Sequence, residues 1–122
     1  MFAKALLLIS FVVSVATAIV INPHITSPRK GAVWKTNSYQ TVHWDTKGIK
    51  GSEATGTLLL GYREGSSLNE HLDTEHPLAK GFDLKNGRVE IRVPDVDPRK
   101  RYIVVLLGDS GNASPEFRIT KK

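Results

Sequence analysis

The sequence predicts an all-β antiparallel sandwich, and three observations carry that expectation. Stretches that alternate apolar and polar side chains recur at short intervals, the pattern of half-buried strands. No window sustains a helical hydrophobic period with capping residues at its ends. The chain of 122 residues contains no cysteine, so no disulfide staples it, and packing and hydrogen bonding must supply all of its stability. That favours a well-formed sandwich over a loop-rich miniprotein.

The first 18 residues, MFAKALLLISFVVSVATA, stand apart from this pattern. Lys4 supplies a positive start, residues 5–15 an apolar run too short to span a bilayer comfortably, and Ala16-Thr17-Ala18 a small-x-small cleavage site. Together they predict a signal peptide over residues 1–18 and a secreted mature chain beginning at Ile19, with no membrane anchor of its own. Residues 19–122 are then one domain with a single modest core.

Each strand is expected for its own reason. Residues 19–26 (IVINPHIT) form a first strand, held to a sheet edge by Pro23, which cannot donate to a ladder. Residues 27–31 (SPRKG) turn the chain, and residues 32–35 continue it. In residues 39–46 (YQTVHWDT), Gln40, Val42 and Trp44 share one face while Tyr39, Thr41, His43 and Asp45 share the other. Residues 55–63 place Leu58, Leu60 and Tyr62 together on one face. Residues 64–77 mix four acids, two histidines and turn formers, and fit a loop, a short edge strand or one helical turn. Residues 78–85 and 88–93 flank Asn86-Gly87, whose tolerance of positive φ predicts a type I′ hairpin, with Val89, Ile91 and Val93 inward. Residues 94–98 (PDVDP) make a rigid connection to the apolar run 102–107, which suits a central strand covered on both faces or crossing the middle of the domain. Residues 108–111 turn, and residues 114–120 close the domain with Phe117 and Ile119 inward.

About seven such strands, with turn signals every dozen residues or so, describe an immunoglobulin-like (fibronectin-like) sandwich. Tyr102 opens the penultimate strand and is placed to hydrogen-bond back to the backbone of residues 94–98. The expected core comprises Val42, Trp44, Leu58, Leu60, Val89, Ile91, Tyr102, Val104, Phe117 and Ile119.

Ile25-Thr26-Ser27-Pro28 followed by a glycine, then VHWDT, TLLLGY, RVEIRVPDV, RYIVVLLG and SPEFRIT, resemble the immunoglobulin-like N-terminal domain of the fungal cell-wall synthesis proteins of β-glucan assembly, the killer-toxin-resistance group. Ser/Thr-rich, GPI-anchored fungal surface proteins share that domain. The resemblance covers nearly all of residues 19–122 and implies a cell-wall module that binds or organises β-glucan. It also implies that Trp44, at the end of its strand, packs into the sandwich. Members of this kind commonly continue into a Ser/Thr-rich stalk and an anchor signal, whereas this chain stops at Lys121-Lys122. A freely secreted or non-covalently wall-associated single domain is therefore expected.

The formal net charge of +5, with 17 Lys and Arg against 12 Asp and Glu, collects at Arg29-Lys30, residues 99–101 and Lys121-Lys122. On a secreted chain such clusters fit solvated charge better than nucleic acid. Trp34, among polar neighbours, together with Tyr39 and Tyr62, is the candidate aromatic surface on which sugar rings would stack, the alternative for Trp34 being a partly buried residue at a sheet edge. Asn112-Ala113-Ser114 is a glycosylation sequon, with Pro115 after it opposing modification. His71 and His76, five apart, align on neither a helical nor a strand face, so no metal or other cofactor is expected. The chain has no G-x-S-x-G motif and no thiol, which argues against nucleophilic catalysis. The expected role is non-catalytic. Its partner is cell-wall polysaccharide, β-glucan, or alternatively an extracellular protein met by an effector, receptor ligand or inhibitor.

Overall fold

The computed structural model describes residues 23–49, 54–108 and 111–122; the signal-peptide expectation for residues 1–18 lies outside them. Nine strands occur among the described residues: β1 (Ile25–Ser27), β2 (Val33–Lys35), β3 (Tyr39–Trp44), β4 (Thr55–Tyr62), β5 (Ala79–Asp83), β6 (Arg88–Arg92), β7 (Arg99–Leu107), β8 (Gly111–Ala113) and β9 (Phe117–Thr120). They form two sheets. The small one has the order β1-β3-β6, and the large one β2-β9-β7-β4-β5, with β8 also pairing β7. The sheets face one another as a curled sandwich without a disulfide.

Alternation positions the core. Val42 and Trp44 of β3 and Ile91 of β6 point from the small sheet towards Leu58 and Leu60 of β4, Tyr102, Val104 and Leu106 of β7, and Phe117 and Ile119 of β9. All are at most 7% exposed. Val89 is only partly buried, at the margin of the same cluster. The Trp44 indole N–H donates to the Leu84 carbonyl at 2.7 Å, satisfying the ring's one polar atom inside the core. β7 lies between β4 and the β8/β9 pair. Ile103 and Val105, on its second face, are also buried, as an unbroken apolar run requires.

The expected hairpin at Asn86-Gly87 is not formed. β5 pairs with β4 in the large sheet, whereas β6 pairs with β3 in the small one. Between them Leu84–Asn86 is one turn of 3-10 helix, its start capped by the Asp83 carboxylate, which accepts from the Lys85 N–H, and its end closed by Gly87 in the left-handed region at φ 70°. The glycine supplies positive φ, but to a helix cap rather than a type I′ turn. Burying Leu84, 1% exposed, is the reason: a tight hairpin would leave that side chain and the Trp44 N–H without their partners.

Residues 64–77 hold no regular element, yet they run along the edge of β4 that β5 also occupies. Tyr62 N–H donates to the Glu70 carbonyl, Asp73 N–H to that of Leu60 and Leu78 N–H to that of Leu58. Among the described residues no helix is long and apolar enough to cross a membrane.

Candidate functional site

The three aromatic residues expected to form one sugar-binding surface lie in three different places. Trp34 is 5% exposed and packs on Phe117 with ring centroids 4.4 Å apart. The cause is β2, which pairs parallel to β9 with Trp34 opposite Ile119, so that Val33 and Lys35 face solvent and the indole faces the core. Trp34 therefore offers no open ring.

Tyr62 lies at one end of the sandwich, in a cleft of about 330 Å³ lined also by His71, Asp73, Asp95, Asp97, Arg99 and Tyr102. The His71 ring stacks on it at 4.3 Å, nearly parallel, and the Arg99 guanidinium sits 3.8 Å from its centroid. Two groups so close to one ring must take opposite faces, so Tyr62 has no face left for a sugar. The other groups of the cleft are committed as well. Arg99 pairs with Glu64 at 2.8 Å, Asp95 with Lys121 at 2.7 Å and Asp73 with His76 at 3.2 Å. The Tyr102 hydroxyl donates to the Asp97 carbonyl at 2.5 Å, the bond anticipated from its place in the sequence. Burial pushes the Tyr102 phenol above its ordinary value, against the opposing pull of Arg99. No group of three or more His, Cys, Asp or Glu able to hold a metal ion occurs among the described residues.

Asn112, in the sequon, is bound into the fold. Its side-chain N–H donates to the Pro23 carbonyl at 2.6 Å. Ser114, 3% exposed, accepts from Val104 N–H at 3.0 Å.

Tyr39 is different, with 68% of its surface exposed. It opens β3, and the antiparallel register sets it opposite Arg92, Thr41 opposite Glu90 and His43 opposite Arg88. These six side chains share the outer face of the small sheet. Tyr39, His43, Arg88, Glu90 and Arg92 are all exposed. The ion pairs among the described residues lie on the large sheet and its connections, and none involves Arg88, Glu90 or Arg92. An open phenol ring opposite one guanidinium, with a second on the same face and neither in an ion pair among the described residues, suits recognition of another molecule, since tyrosine and arginine are the residue types enriched where proteins dock.

No protein-family model matches the chain, and no curated protein matches it. The site therefore rests on geometry. The alternation in YQTVHW and RVEIR already separates outer from inner residues, but the cross-strand pairing of Tyr39 with Arg92 depends on β3 and β6 being neighbours, for which the sequence carries no local signal. Arg99 and His71, the two groups that close the faces of Tyr62, are likewise brought to it from distant positions.

Proposed function

We propose that the chain is a secreted, non-catalytic immunoglobulin-like module that docks an extracellular protein on the outer face of its small sheet. The observation that carries this reading is the exposed Tyr39 flanked in register by Arg92, with Arg88 and His43 on the same face. The N-terminal composition of residues 1–18 supports export. The immunoglobulin-like assignment is supported by the bond from the Tyr102 hydroxyl, near the start of β7, to the backbone just before that strand and by the division of strands between two sheets.

A second reading keeps Tyr39 and changes the ligand. The resemblance to fungal wall-assembly domains suggests β-glucan, and one exposed phenol ring can stack on a sugar. Only one of the three aromatic residues first considered retains an open ring, which makes a polysaccharide platform the weaker of the two.

One experiment separates them. The domain and its Tyr39→Ser variant are presented in parallel to cross-linkable cell-surface and secreted proteins and to insoluble β-glucan. A protein partner captured by the parent and lost, by about tenfold, in the variant is the expected outcome, with no retention on glucan. Retention on glucan abolished by Tyr39→Ser would establish the second reading instead. Capture unaffected by the substitution would remove the small-sheet face from both.

A further inference from the structure

The small sheet ends in a strand edge that differs from the other edges of the molecule. β1 and β2 are three residues each, and β1 carries a register shift. β5 is interrupted by Gly81 at φ 75° and faces a shift in β4. Such shortness and irregularity are how natural sheets blunt their edges. β6 has neither feature: five residues hold one unbroken register with β3, and no other described strand pairs with it.

The ladder also fixes which backbone groups stand free. Trp44 N–H donates to the Gly87 carbonyl, and Val93 N–H to that of Ser38. Both bonds belong to the same antiparallel register, so the mutually bonded pairs between them are Val42 with Val89 and Gln40 with Ile91. The N–H and C=O groups of Arg88, Glu90 and Arg92 therefore point away from β3, along the open edge. Their side chains point to the outer face, and Thr41, Arg88, Val89 and Glu90 line a depression of about 390 Å³ beside the strand.

We infer that β6 accepts an extended acidic segment of a partner protein as a fourth strand of the small sheet. This rests on the proposed docking role of that sheet and names its mode and its partner's chemistry. A strand laid along Arg88, Glu90 and Arg92 sets one of its own outer-face residues opposite each of them. Charge complementarity then selects acids four residues apart, facing Arg88 and Arg92, with a basic or neutral residue between them facing Glu90. A second copy of this chain fits badly. Antiparallel self-pairing over the whole strand would set Glu90 against Glu90 and Arg88 against Arg92 twice, and shifted registers run into the 3-10 turn at Leu84–Asn86 or into Pro94, which has no N–H to give.

The test uses two synthetic peptides, Thr-Glu-Val-Lys-Val-Glu-Thr and its charge-inverted counterpart Thr-Lys-Val-Glu-Val-Lys-Thr, titrated into the whole domain with amide hydrogen exchange as the readout. The acidic-ended peptide should bind more tightly, by about tenfold, and should slow exchange at Arg88, Glu90 and Arg92. Glu90→Pro removes a backbone N–H that makes no bond to β3, so the ladder survives while the edge is blocked; it should abolish binding. Arg88→Glu with Arg92→Glu should invert the preference between the peptides, and decides the matter if the proline variant does not fold. Equal binding by Glu90→Pro without protection of those amides would overturn strand addition while leaving face docking intact. Binding of neither peptide would overturn the inference. Self-association of the parent that Glu90→Pro abolishes would replace the acidic segment with a second copy. Face docking itself is judged by Tyr39→Ser, so the two readings fail separately.

Discussion

Tyr102 is 3% exposed, and its one polar atom reaches the Asp97 carbonyl at 2.5 Å. Removing the hydroxyl in Tyr102→Phe leaves the ring's packing and deletes that bond, so a loss of about 1 kcal/mol in unfolding free energy is expected by denaturant titration. The same residue sets an alkaline limit. Desolvation raises the folded phenol above its ordinary 10.0, against the smaller pull of Arg99. The native state then holds this proton to higher pH than the unfolded chain does. The contribution is fully present below pH 10.0 and is lost as pH rises through the folded value. Stability measured across that window should fall with pH less steeply in Tyr102→Phe than in the parent. Trp34 teaches a related lesson: its polar sequence neighbours left an exposed ring and a partly buried edge position both open, and the pairing of β2 with β9 turned the ring fully inward. A residue's neighbours in sequence say which side chains alternate with it, not which alternate is covered.

The 64–77 segment shows how an element without regular structure is held in place. Gly61 on β4 has no side chain, and a Cβ there would collide with the Glu70 carbonyl and the Leu72 side chain. The close approach lets Tyr62 N–H reach Glu70 at 2.9 Å. Gly61→Ala must therefore push the segment off the strand. A cost of about 1–3 kcal/mol is expected, with faster amide exchange at Tyr62 and Asp73 as the local signature. Arg63 and Arg101, both on Glu116, and Arg99 on Glu64 add ion pairs across the same region; being partly exposed, each is worth little singly. Elements with strong alternation were legible: β3, β4, β6 and β9 fall within the stretches expected for them, while β7 contains the expected run 102–107 and begins three residues earlier, at Arg99. The segment from 78 to 93 was legible as two strands but not as a crossover. Asn-Gly reports a local need for positive φ, and both a hairpin and a helix cap meet it.

Across the whole molecule, the two tryptophans report on opposite sheets joined by one core, Trp34 on the large sheet and Trp44 on the small. Trp34→Phe and Trp44→Phe leave one reporter each. In each variant tryptophan fluorescence and far-ultraviolet circular dichroism should give coincident denaturation midpoints, as one cooperative unit requires. Two separated transitions would mean that the sheets unfold independently. The sequence by itself determined the all-β class, the inward side chains of the strongly alternating strands, the bond made by Tyr102 and the absence of any disulfide. These follow from period, residue type and short-range geometry, which a linear chain displays. Tertiary structure alone decided that Trp34 is core, that both faces of Tyr62 are filled, and that Tyr39, His43, Arg88 and Arg92 share one open face bounded by the edge of β6 that no other described strand pairs. Those outcomes depend on which strands become neighbours. Strand pairing is set by burying one common core between two sheets, and that is a property of the whole chain at once.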